Sequence, residues 1–168
     1  MSYKTFPRSK AQIRGFVNRV REIFRVKLDS KLPVLYILET LCSGLDENGY
    51  TLEIVPTSSM SERYAETIPE KKIVRIREDV YNGVYEEKPR DLFTVCHEIG
   101  HILLHSNDII SFARENENVK KYEDPEWQAN IFAAEFLAPA RMCKNMSVEE
   151  IVNTYGCSKQ VATIQQKG

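Results

Sequence analysis

The strongest constraint in this sequence is five residues long. His97-Glu98-Ile99-Gly100-His101 is an H-E-x-x-H pattern, set in a stretch whose apolar residues Leu92, Val95, Cys96, Ile99 and Leu103 recur with helical period. Pro89-Arg90-Asp91 suits a helix start, so the spacing predicts a helix from Pro89 to about His105. Residues four apart on a helix lie one turn apart on the same face, so both imidazoles can reach one metal ion. Glu98 lies about 100° further round. There it is off-axis for a ligand yet close enough to hold a water on the metal, which suits a general base. The competing reading is a helix with two surface histidines and a salt-bridging glutamate. Gly100 adds a hint, because glycine inside a helix costs about 1 kcal/mol relative to alanine. Its presence predicts another element approaching closely.

The chain has only 3 histidines, and all of them fall on this helix. The third, His105, lies eight residues after His97 and has drifted about 80° around the axis. A helix cannot bend three successive turns around one ion, so His105 is expected to support a ligand or to serve packing. A third ligand must then be a carboxylate or thiol. Glu126 is the preferred one. Asp124 suits an N-cap and Pro125 a first helical position, predicting a helix to Ala138 that Pro139 stops. Glu126 would lie in its first turn, with Asn130 one turn later on the same face. Asn130 could then orient a metal-bound histidine through its ring N–H. Ala129, Ala133 and Ala134 offer the small surface that two helices need to share an ion. Glu123 and Glu135 are alternatives, and Glu126 could also be no more than favourable charge at a helix N-terminus. Two histidines and a glutamate with a position left for water form a hydrolytic arrangement, with one zinc ion as the expected occupant.

The rest of the chain bounds what surrounds this centre. At 168 residues with 42% hydrophobic composition, one domain with a real core is expected. The near-zero net charge hides a split: residues 1–31 carry nine Lys/Arg against Glu22 and Asp29, and the remainder is acidic. Electrostatic binding to nucleic acid by the whole chain is therefore not expected. No apolar run reaches the eighteen or so residues that span a bilayer. MSYKTFPRSK holds no apolar signal segment, and Cys42, Cys96, Cys143 and Cys157 form no C-x-x-C pair, so reduced thiols in a cytoplasmic protein are expected. Helices are predicted over Lys10–Leu28 and Pro33–Cys42, a turn at Gly44 and Asp46–Gly49, and strands at Tyr50–Val55 and Lys72–Ile76, with a short one near Tyr64–Thr67. A polar linker runs from Ser106 to Glu123. Ser147 with Glu150, Gly156 and Ser158 predict two short closing helices.

The segment FTVCHEIGHILLH followed by EDPEWQANIFAAEFLAP resembles the ImmA/IrrE family of zinc metallopeptidases, found in prophages, mobile elements and stress-response systems. The resemblance covers about residues 50–139 and departs from the family's common Leu-Met-Pro at Leu137-Ala138-Pro139. It implies an α+β, zincin-like core in which a small, mostly antiparallel sheet packs on the HExxH helix, with additional helices at both ends. It implies His97, His101 and Glu126 as zinc ligands and Glu98 as the catalytic base. It also implies cleavage or inactivation of a helix-turn-helix repressor encoded nearby. The division expected is a metallopeptidase domain over 1–139 and a helical extension over 140–168.

A zincin usually holds its substrate as a strand added to an open sheet edge. Lys72–Ile76 is the candidate edge, and an ordinary amphipathic strand is the alternative. Tyr64, Tyr81, Tyr122 or an arginine would supply oxyanion stabilisation. The basic N-terminal helix reads as core packing with a solvated face ahead of a partner-docking surface. The closing helix pair reads as a cap ahead of a DNA-reading unit. The function expected is a zinc-dependent endopeptidase acting on a regulatory protein. The alternative is a binding module that sequesters or remodels a repressor without hydrolysis.

Overall fold

The computed structural model describes residues 2–43, 49–60, 62–106, 111–113 and 117–168. The expected turn at Gly44 and Asp46–Asn48 lies outside them. The fold is mixed α and β. Helix α1 (Lys10–Ile23) begins with a capping box: the Ser9 hydroxyl accepts from Gln12 N at 3.1 Å, and the Gln12 side chain accepts from Ser9 N at 2.9 Å. It buries Ile13, Val17 and Val20. It ends five residues before the predicted Leu28. Arg25 turns the chain with a left-handed φ of 57°, and buried Arg21 donates to the carbonyls of Lys27 (2.7 Å) and Ser30 (3.2 Å). The apolar period ran past the helix because Phe24 and Val26 still pack on the core from the turn.

Helix α2 (Val34–Leu41) follows, then strand β2 (Thr51–Val55), strand β3 (Ala65–Ile68) and strand β4 (Ile73–Arg77). An earlier two-residue strand, β1 (Tyr3–Lys4), pairs antiparallel with β5 (Ser111–Phe112). The three-stranded sheet has the order β2-β4-β3. Two sequence expectations are corrected here. The sheet is mixed rather than mostly antiparallel, since β2 runs parallel to β4 and β3 antiparallel. The segment expected as an open edge is the central strand, and β3 lies at the border instead. Val74 and Ile76 of β4 are fully buried, whereas Arg75 on the opposite face pairs with Glu53 and Glu66 of its two neighbours. Strand period alone could not separate a centre with one charged face from an edge.

Helix α3 (Glu78–Tyr85), which the sequence reading did not anticipate, leads into α4 (Pro89–His105), whose bounds match the expectation. Helix α5 (Pro125–Leu137) packs along α4, and α1 packs on α5. The main core lies among α1, α2, the sheet, α3, α4 and α5. A second apolar cluster joins Ala134 and Ala138 to α6 (Ala140–Cys143), α7 (Val148–Tyr155) and α8 (Lys159–Lys167). Helix α6 was not anticipated; α7 and α8 begin at Ser147 and Ser158, whose hydroxyls accept from Glu150 N and Val161 N at 3.1 Å. Gly156 ends α7 with a φ of 70°, as a helix-terminating glycine should. Gln165 of α8 donates to Glu135 (2.7 Å) and to the Ala138 carbonyl (2.8 Å), fastening the helix pair to α5.

All four cysteines are free; Cys96, Cys143 and Cys157 are buried, and burial raises the half-buried Cys42 thiol from 9.0 to about 11. At pH 8 Cys42 should therefore hold about a hundredfold less thiolate than an unperturbed thiol. Iodoacetamide should label the native protein slowly at every cysteine and the denatured protein rapidly. Fast native labelling of Cys42, read by peptide mass mapping, would contradict the burial assignment.

Candidate metal centre

Helix α4 carries His97 and His101 on the face that meets the first turn of α5. The α5 N-terminus is built as its sequence requires: Pro125 opens the helix, and the Asp124 carboxylate accepts from Glu126 N at 2.9 Å. That fixes the backbone from which Glu126 reaches across. His97 Nε2 and His101 Nε2 stand 3.0 Å apart; Glu126 Oε2 lies 3.0 Å from the first, and Glu126 Oε1 lies 3.1 Å from the second. Tetrahedral ligands at about 2.0–2.1 Å from an ion sit about 3.3 Å from one another, so the triangle has the size of a metal site.

The hydrogen-bonding context supplies a stricter test of fit. His97 Nδ1 donates to Asn130 Oδ1 at 2.8 Å, which places its ring proton away from Glu126 and leaves Nε2 bare. His101 Nδ1 is likewise engaged, 2.9 Å from His105 Nδ1. The bare His97 Nε2 and the Glu126 carboxylate then face each other, lone pair toward lone pair, with His101 Nε2 closing the triangle. A cation resolves that repulsion, so the donor set fits a divalent metal. Burial disfavours charge on His97, but a second proton taken up on Nε2 would hydrogen-bond Glu126, and that bond with the fields of Glu98 and Glu126 raises its pKa. The histidines in turn hold the Glu126 carboxyl far below the usual carboxylate range. Glu126 has a side chain 65% exposed, so the triangle opens on solvent.

The other carboxylates weighed from the sequence lie elsewhere. Glu135 is buried and bonded to Arg14, Gln165 and Ala140 N. Glu123 accepts from Lys120 N. Glu98 is buried beside the triangle without joining it; Thr67 of β3 donates to its Oε2, and burial pushes its pKa up. His97, Glu98, His101 and Glu126 line one cleft of about 850 Å³, together with Ala65–Glu70 and with Tyr3 and Lys121. Tyr64, Tyr81 and Tyr122 do not line it. Tyr64 stacks beneath Arg77 and Arg90, Tyr81 donates to Glu39, and Tyr122 faces Lys120.

A family model described as the IrrE N-terminal-like domain, a peptidase family, matches residues 52–164. The chain belongs to this family. No curated protein matches it. Membership makes it a metallopeptidase-type protein, as the H-E-x-x-H helix implied, and His97, His101 and Glu126 are residues that could hold its metal. The matched region starts at β2 and leaves out α1, α2 and the N-terminal segment. Yet that segment is bonded to α5, the helix that carries Glu126. Gln128, fully buried on α5, donates to the carbonyls of Phe6 and Tyr122 at 2.8 Å each, and Arg8 donates to Gln128 Oε1 at 3.0 Å. Sequence reasoning missed Thr67, Gln128 and Arg8. No spacing signal marks them, because each acts through a contact between segments distant in the chain.

Gly100 is where α4 and α5 touch most closely. A β-carbon there would lie 3.1–3.3 Å from three atoms of Phe132, a ring that is itself fully buried against Phe16 and Phe136. The predicted close approach is thus met by Phe132. Gly100→Val should destabilise the fold by about 1–3 kcal/mol through overpacking. Thermal unfolding measures this, and an unchanged midpoint would contradict the contact.

Proposed function

We propose that this chain is a zinc-dependent endopeptidase of the cytoplasm, and that its substrate is a regulatory protein, in the first instance a helix-turn-helix repressor encoded nearby. One observation carries the reading: two imidazole nitrogens and a carboxylate converge beside a buried glutamate and an open strand, all in one cleft. His97, His101 and Glu126 would hold the ion, which when bound supplies Lewis acidity toward a carbonyl and acidifies water. Glu98 is the general base. Thr67 occupies its Oε2, so the other oxygen is left to take the proton from water and deliver it to the leaving amine. The raised pKa that burial gives Glu98 suits a group that must both accept and release a proton.

Strand β3 supports the peptide-binding part of the reading. Arg77 N donates to Tyr64 O at 3.1 Å, and Ala65 stands opposite Ile76, so Tyr64, Glu66 and Ile68 direct their main-chain groups toward β4. Ala65 and Thr67 direct theirs to the outer edge. An extended peptide could add there as a further strand, leaving its carbonyls beside the metal centre. Thr67 then touches the substrate through its backbone and the base through its hydroxyl. Among the described residues no helix is long and apolar enough to cross a membrane. Four free thiols, three of them buried, fit a reducing compartment.

The test is mass spectrometry of the neighbouring repressor after incubation with zinc-loaded protein. One defined new terminus is expected, absent when a chelator is added. An intact repressor whose DNA binding is nevertheless lost would replace hydrolysis with sequestration.

A further inference from the structure

We propose that His105 is a positioning residue that sets the tautomer of His101, and that the N-terminal segment, outside the family-matched region, holds the far end of this relay. Gln128 spends both amide hydrogens on the carbonyls of Phe6 and Tyr122. Its orientation is therefore fixed and its Oε1 can only accept, which it does from Arg8 Nη1 at 3.0 Å. His105 Nε2 lies 3.0 Å from that same oxygen and must be the donor. In the neutral ring the other nitrogen, Nδ1, is then bare, and it faces His101 Nδ1 at 2.9 Å. A hydrogen bond between those two nitrogens requires the proton to sit on His101 Nδ1. That leaves His101 Nε2 bare, pointing at His97 Nε2 and Glu126 Oε1. Each ring thus fixes the next, from a main-chain carbonyl at residue 6 to the nitrogen that would bind metal. His97 reaches the same state by a shorter route, through Asn130 alone. His105 and Gln128 are both fully buried, so water cannot substitute for either partner.

The relay rests on the reading of His97, His101 and Glu126 as metal ligands, and its test separates the two. Long-range proton–nitrogen correlation spectra of the full chain, labelled at histidine nitrogens and free of metal, report each tautomer directly. The expected result is Nε2–H on His105 and Nδ1–H on His101; Nδ1–H on His105 would overturn the relay whatever the metal does. Zinc affinity, measured by competition with a chromophoric chelator, provides the second arm. Removing an outer hydrogen-bond partner of a metal-bound histidine weakens binding by about 10–100-fold. His105→Leu should show that loss, while His105→Gln, whose amide oxygen can take the His101 proton, should bind more tightly than His105→Leu. Equal zinc affinity of these two variants, or an unchanged affinity in His105→Leu, would overturn the proposal. Failure of the wild-type chain to bind zinc would instead remove the ligand reading and leave the tautomer assignments to decide the relay.

Discussion

Glu98→Gln should keep the metal and lose about 10²–10⁴ of the peptidase rate, the range a general base contributes. The exchange is nearly isosteric. Glu98 lies outside the donor triangle, so the amide removes no ligand, and its oxygen can still accept from Thr67. What it cannot do is take a proton. Zinc stoichiometry and cleavage of the identified substrate, measured on the same preparation, check both halves, and retained cleavage would remove Glu98 from its role. If the variant still relieves repression in cells, non-hydrolytic binding is the function instead. Stability gives an independent reading. Burial raises the Glu98 pKa above 4.5, so the ionised carboxylate costs the folded state stability above its folded pKa. That cost vanishes below the unfolded value. Metal-free Glu98→Gln should therefore unfold at or above the wild-type temperature at pH 7.5, with the difference shrinking toward pH 4. A lower midpoint at neutral pH would mean that the carboxylate is stabilised by contacts stronger than its desolvation.

The helices that hold the centre were legible because their signals are local. Pro89 and Pro125 mark starts, Asp124 caps, and the apolar stripe of Leu92 to Ile99 has one period and one meaning. Asn130 was legible for the same reason, since it sits one turn from Glu126 on a helix whose start was known. The sheet was less readable. Lys72–Ile76 has the composition of a strand, but its place in the order β2-β4-β3 depends on Thr51–Val55 pairing parallel to it across a gap in sequence. The position of β3, and with it Thr67 beside Glu98, follows only from that pairing. The relay behind His101 was half-visible. Helical geometry excluded His105 as a third ligand, but nothing in the sequence connects Gln128 to residues 6–8. Helix α3 went unseen because Glu78–Tyr85 is short, its Val and Tyr residues suit a strand as well as a helix, and its acidic first turn follows a strand with no break.

Arg21→Ala should cost about 3–5 kcal/mol, more than the overpacking expected of Gly100→Val. By its spacing Arg21 belongs with the solvated charges of α1, yet its side chain is fully buried. Its Nε and Nη2 donate to Phe136 O at 3.0 and 2.7 Å, and Nη2 also reaches Leu137 O at 3.2 Å. Those carbonyls close the last turn of α5, where no further helical N–H exists and Pro139 supplies none. The guanidinium therefore caps α5 with positive charge at the negative end of its dipole. Through Nη1 it also holds the carbonyls of Lys27 and Ser30. Alanine would take the donors from the Phe136, Leu137 and Ser30 carbonyls, while Lys27 O would keep Ser30 N, and it would open a cavity at the junction of α1 with α5. For a chain of this size, 1 kcal/mol moves the unfolding midpoint by about 2–4 °C, so a drop of roughly 10 °C is expected. Arg21→Lys should recover little of it, because one ammonium cannot span carbonyls on two segments. Arg19→Ala, on the exposed face of the same helix, should stay within about 0.5 kcal/mol. Glu126 and Asn130 stand at the opposite end of α5, so an Arg21→Ala protein that remains folded should keep its zinc affinity within a few-fold. A large loss of zinc affinity without a loss of stability would instead place Arg21 among the residues that set the metal centre.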